Sequence, residues 1–155
     1  MKVMKFGGTS VGKPQRMKEV AVLITKDDES KIVVLSALSG TTNALVEISQ
    51  SLSSGDRHTA KQQVDVLHNH YTNFVEELLS GQQARNKAAE ILTEHFEFLS
   101  IILKISFSQA LHKDILAQGE LLSTKLFSIY LQEINIGHAL IHALDYMTID
   151  SFDEP

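Results

Sequence analysis

The sequence predicts an α/β chain with a mainly parallel sheet and a large helical insert between its second and third strands. Three observations carry this. A short apolar strand pattern, Val3 to Phe6, runs into a glycine-rich turn and then a helical pattern. A second apolar run, Lys31 to Ser36, does the same, and its unbroken KIVVLS reads as a strand covered on both faces, as in parallel sheets. Three long helical patterns then follow before a third apolar run, Ala139 to Leu144.

Each element has a local reason. Pro14 suits the first turn of a helix, where a missing N–H costs nothing, and Met17, Val20, Ala21, Val22 and Ile24 supply its apolar positions to about Lys26. Asp27-Asp28-Glu29-Ser30 is a polar turn. Leu45, Val46, Ile48 and Leu52 keep helical spacing until Gly55-Asp56. The long patterns cover 57–79, 82–104 and 107–133, separated by Gly81 and by Ser106 to Ser108. Gly119 interrupts the last and predicts a split or kink. Ala139 to Leu144 reads as the third strand, with an extended tail to Pro155.

Composition excludes several classes. The chain has 155 residues, 43% of them apolar, with 14 basic and 19 acidic side chains and a net charge of −5. Disorder requires fewer apolar residues, and phosphate-backbone binding requires a basic surplus, so nucleic acid is not the expected partner. Cysteine is absent, which removes disulfides, thiolate metal sites and cysteine nucleophiles and fits a reducing cytoplasm. The N-terminus is too short in its apolar part for a signal peptide, and no run reaches the ~18 apolar residues of a membrane span. The length allows one domain.

The strongest chemical signal is Lys5-Phe6-Gly7-Gly8-Thr9-Ser10. Paired glycines after a strand let backbone N–H groups approach an anion, and Thr9 and Ser10 add hydroxyl donors. Lys5 stands at the strand's carboxyl end, where open α/β sheets place ligands. Gly7, Gly12 and Lys13 imitate the start of a P-loop, but Pro14 stands where that motif needs a magnesium-binding hydroxyl. The turn Ser36-Ala37-Leu38-Ser39-Gly40-Thr41-Thr42-Asn43 repeats the design after the second strand, and adjacent parallel strands bring the two turns side by side. Taken alone, these turns are also compatible with helix capping. His138 and His142 share a strand face but lack a third ligand, and His68 and His70 point to different faces of a helical pattern, so no metal site is expected.

KFGGTSVG, LSALSGTTN about thirty residues later and QGELLS at 118–123 together resemble the aspartate kinase family of the amino acid kinase superfamily, over nearly the whole chain. The resemblance implies a three-layer amino acid kinase-like fold. It implies transfer of the γ-phosphate of ATP, carried as its Mg2+ complex, to the side-chain carboxylate of L-aspartate, the first step toward lysine, threonine and methionine. Lys5 would be catalytic, neutralising the moving phosphoryl group, with Gly7, Gly8, Thr9 and Ser10 binding phosphate. Ser36 and Thr42 match substrate-contacting positions, and Glu120 matches the acidic residue that orients aspartate.

Residues 1–155 match only the N-terminal portion of such a catalytic domain. The half with the ATP site, an arginine clamp and the regulatory ACT domains has no counterpart here. The chain alone is therefore expected to be inactive, and its open sheet to self-associate, the parent protein being a homo-oligomer. Alternatives are another amino acid kinase, a fusion to homoserine dehydrogenase, and a non-catalytic helical binding module.

Overall fold

The computed structural model describes residues 1–147. Strand β1 (Lys2–Phe6) pairs in parallel with β2 (Lys31–Leu35), in a register that sets Lys2 against Lys31 and Phe6 against Leu35. Between them lie a single helical turn, α1 (Gly8–Val11), and α2 (Pro14–Ile24), which has proline in its first turn as expected. Helices α3 (Thr41–Ser53), α4 (Arg57–Leu78), α5 (Gln82–Ile102) and α6 (Gln109–Glu133) follow. Each packs on the next, and α6 returns to contact both α3 and β2.

Helices α4 and α6 begin at side-chain caps. Asp56 accepts from Thr59 N–H at 3.0 Å and caps α4; Ser108 accepts from Leu111 N–H at 3.3 Å and caps α6. The turn from α4 to α5 takes its partner from the far end of α6: Glu133 Oε1 accepts from the N–H groups of Ser80 at 2.9 Å and Gly81 at 2.5 Å. The like charges of Lys2 and Lys31, directly paired across the ladder, are offset by the 27–30 turn. Lys2 Nζ lies 2.6 Å from Glu29 Oε2, and Lys31 pairs with Asp27. Lys31, the Glu29 N–H and Lys2 hold the Asp27 carboxyl at about 2.

One apolar core joins the layers. Met4, Phe6, Val33 and Leu35 face the helices, against Met17, Val20, Ile24, Leu126 and Phe127. The opposite sheet face is bare: Val3 is 69% exposed, Ile32 47% and Val34 41%. That corrects the expectation of a strand covered on both faces. The apolar run marks a surface that needs covering, but these described residues supply a cover for one side only.

Two further expectations change. Ala139–Leu144 does not form the third strand; residues 137–142 lack ladder pairing, and Ala143–Tyr146 form a short helix, α7. A strand exists only against a neighbour, and among the described residues the sheet contains β1 and β2 alone. A cleft of about 670 Å³ separates β2 residues Val33 and Leu35 from Ala139 to Ile141. Gly119 does not break its helix: α6 runs unbroken through it. The expected tail beyond Met147 lies outside the described residues.

Candidate functional site

Parallel pairing puts the carboxyl ends of β1 and β2 at one end of the sheet, so both turns emerge together. They touch closely. A Cβ built on Gly12 would lie 2.4 Å from Ser39 Cβ, 2.6 Å from Gly8 O and 2.9 Å from Ser39 N. One on Gly8 would lie 3.1 Å from Ala37 O. The glycines of the first loop therefore permit the second loop to lie against it.

The third motif joins them. A Cβ on Gly119 would lie 2.8 Å from Ala37 Cβ and 3.2 Å from Thr41 Cγ2. Glycine inside a helix costs about 1 kcal/mol relative to alanine, whereas forcing an extra carbon into a packed contact costs about 1–3 kcal/mol. Close approach therefore outweighs helix propensity here. Ser123, one helical turn beyond Gly119, donates its hydroxyl to Ser36 O at 2.7 Å and ties α6 to the end of β2.

The second loop turns through Gly40, whose φ of +84° is open to glycine without steric cost, and Thr41 N–H donates to Leu38 O at 3.0 Å. Thr41 then opens α3, and the N–H groups of Thr42 and Asn43 lie in its first turn, where a helix supplies no acceptor of its own. In the first loop Ser10 N–H donates to Gly7 O at 2.9 Å. Gly8 to Val11 form a helical turn of their own ahead of the helix that starts at Pro14 as expected.

The sequence-predicted residues divide into two groups. Gly7, Gly8, Thr9, Ser10, Ser36 and Thr42 lie on the two adjoining loops, and Glu120 follows the glycine that packs on the second. Gly7 has open space around its Cβ position, and Thr9, Thr42 and Glu120 are exposed. Lys5 is also exposed, but shares the bare sheet face with Val3 and Val34 rather than the helix-covered face. Among the described residues, the Lys5 ammonium, the Thr9, Ser10 and Thr42 hydroxyls and the Glu120 carboxylate make no hydrogen bond or ion pair.

Sequence reasoning missed the supports beneath this group. Ser123 lies inside the quoted QGELLS motif and could have been singled out there. Tyr71 and His95 gave no signal. His95 lies buried beside α6, with Nδ1 2.5 Å from Gln118 Oε1 and Nε2 2.9 Å from Lys125 Nζ. The ammonium fixes the tautomer, so Nδ1–H donates to Gln118. Burial lowers the His95 pKa, and the Gln118 bond opposes this. A cleft of about 410 Å³, lined by Ser39, Gly40, Thr41, Val66 and His70 among others, flanks the second loop. The larger cleft beside β2 holds none of the predicted residues.

Two adjoining βα loops rich in hydroxyl side chains meet at the carboxyl end of a parallel sheet, where open α/β proteins place their ligands. Residues 1–153 match the amino acid kinase family, and the chain belongs to it. It is 33% identical to lysine-sensitive aspartokinase 3 of Escherichia coli over 134 residues, 86% of this chain and 29% of that protein. It is 36% identical to chloroplastic aspartokinase 2 of Arabidopsis thaliana over 161 residues, 97% of this chain and 28% of that protein. The fold matches E. coli aspartokinase III in complex with lysine and aspartate, with a TM-score of 0.71 and 30% identity, covering 88% of this chain and 30% of that one. The same enzyme in complex with aspartate and ADP matches with a TM-score of 0.69 and 31% identity, covering 87% and 29%. The chain thus spans under a third of these relatives. Its fold is the N-terminal amino acid kinase fold.

Among the described residues no helix is long and apolar enough to cross a membrane, and no cluster of three or more acidic or histidine side chains could hold a metal ion.

Proposed function

We propose that the complete protein containing this chain is a cytoplasmic aspartate kinase that makes 4-phospho-L-aspartate, the first intermediate toward lysine, threonine and methionine. The observation that carries this reading is the meeting of the three motifs at one end of the sheet, with Gly12 on Ser39 and Gly119 on Ala37 and Thr41. The reaction joins one side-chain carboxylate oxygen of aspartate to the γ-phosphorus of ATP. The bond from that phosphorus to the bridging oxygen breaks, and ADP leaves with the electron pair.

The chain's residues suit positioning and charge stabilisation in such a transfer. Gly7 and Gly8 present N–H groups, and Thr9 and Ser10 present hydroxyls, to the phosphoryl oxygens. Lys5 offsets their growing charge from the strand end. Glu120 takes the aspartate ammonium, and Ser36 and Thr42 hold the substrate beside the cradle. Magnesium arrives with ATP as part of that substrate.

Hydroxylamine trapping tests the substrate. The complete protein with MgATP forms aspartyl hydroxamate with saturation in aspartate, and glutamate does not replace it; turnover of glutamate without aspartate overturns the reading. The chain of 155 residues alone forms none, because it spans under a third of its aspartokinase relatives. Hydroxamate formation by it at the complete protein's rate overturns that part.

The bare face of β1 and β2 and their open edges give this chain a surface for self-association. Sedimentation of the isolated chain shows a concentration-dependent rise in mass. A single monomer boundary at every concentration overturns this expectation.

A further inference from the structure

Tyr71 is fully buried in the middle of α4, thirty residues from the second loop, yet its hydroxyl lies 3.1 Å from Thr41 Oγ1. Thr41 is buried as well, so each hydroxyl has the other as its partner in a place water does not reach. The ring is fixed from the side by Phe96, edge-on at 6.1 Å between centroids, and Phe96 stacks in turn on His68 at 4.4 Å. On its other side Thr41 meets Gly119. Thr41 is therefore held between a rigid phenol and the one point of α6 without a side chain.

The neighbours of that clamp are the groups the proposed reaction uses. Thr42 follows Thr41, and Glu120 follows Gly119. Burial raises the Tyr71 pKa, the bond to Thr41 opposes this, and the negative charge of Glu120 adds to the rise.

We propose that Tyr71 is a positioning residue for the amino acid substrate: by holding Thr41 it fixes Thr42 and Glu120 in mutual register across the α3–α6 contact. The proposal rests on the aspartate reading of the site. Tyr71 itself touches no reacting atom. It acts through the loop, so its loss weakens binding of the amino acid and leaves the nucleotide side alone.

The test uses the complete protein as wild type, Tyr71→Phe, Thr41→Val and the double variant. Phenylalanine keeps the ring and valine keeps the methyl that meets Gly119, so each single change removes one hydroxyl. Either raises the KM for aspartate about tenfold, the effect of one buried hydrogen bond, and the double variant is no worse than the singles because the same bond is lost. kcat and the KM for MgATP stay within about twofold. Amide hydrogen exchange at residues 41–43 speeds up in Tyr71→Phe. An unchanged aspartate KM, multiplying single effects, or unchanged exchange at those amides overturns the proposal. A wild-type protein without aspartate-dependent turnover overturns the aspartate reading instead, and the exchange measurement then still decides whether Tyr71 holds the loop.

Discussion

Lys5→Ala in the complete protein lowers turnover by about 10²–10³-fold, the loss seen when one preorganised donor is removed from developing charge. The fold survives. Lys5 is exposed at the end of β1, on the sheet face the helices do not cover. Truncating an exposed side chain outside the core changes stability by no more than about 0.5 kcal/mol. Turnover and stability should therefore separate cleanly. Lys5→Arg recovers only part of the rate, because a planar fork does not replace a compact ammonium beside a tight glycine loop. Hydroxamate formation measures turnover, and a thermal melt monitors the fold. Unchanged turnover in Lys5→Ala removes Lys5 from the site, and a melt lowered by several degrees would make it a structural residue instead.

The backbone plan of this chain was legible where local chemistry determines it. Pro14 marks the start of α2, Gly55-Asp56 the break before α4, Gly81 the break before α5 and Ser108 the cap of α6. These signals act within a few residues, and helical periodicity fills the spans between them. The third strand failed because strand formation is a property of a pair. Ala139 to Leu144 is apolar enough, but among the described residues no neighbour pairs with it. The bare face of β2 has the same origin: the sequence marks a surface for burial without saying what buries it.

The candidate site divides in the same way. Its loop residues could be read from Gly7-Gly8-Thr9-Ser10 and Ser36 to Asn43, because glycine and hydroxyl side chains cluster in sequence. Its supports could not. Tyr71 sits in the stripe Leu67, Tyr71, Phe74, Leu78, where an aromatic reads as core, and its partner Thr41 lies on another helix. Gly119 read as a helix breaker because propensity is local, whereas the contact with Ala37 and Thr41 that uses its missing side chain is tertiary. Thr42 was singled out on the loop, while the buried contact belongs to the preceding residue, Thr41.

Gly12→Ala carries the second large effect, through packing rather than charge. Gly12 has φ −74° and ψ −4°, a conformation any residue adopts, so backbone strain is not the reason for glycine here. The reason is contact. The added carbon would lie 2.4 Å from Ser39 Cβ, 2.6 Å from Gly8 O and 2.9 Å from Ser39 N, all closer than atoms pack. Two of the three are backbone atoms, which cannot rotate away: Ser39 N lies across the contact, so the loops must separate, and Gly8 O lies in the first loop itself, whose turn must distort. Overpacking of this kind costs about 1–3 kcal/mol, and a displacement of about 1 Å in a site can cost about a hundredfold in rate. The expected result is a lowered melting temperature together with a loss of turnover that exceeds the loss of folded protein. Ser39→Gly separates the contacts: it removes the nearest one but leaves Gly8 O and Ser39 N in place, so the double variant Gly12→Ala/Ser39→Gly regains little. Wild-type stability and turnover in Gly12→Ala would show that the two loops do not meet as described, and full recovery in the double variant would reduce the contact to one side chain.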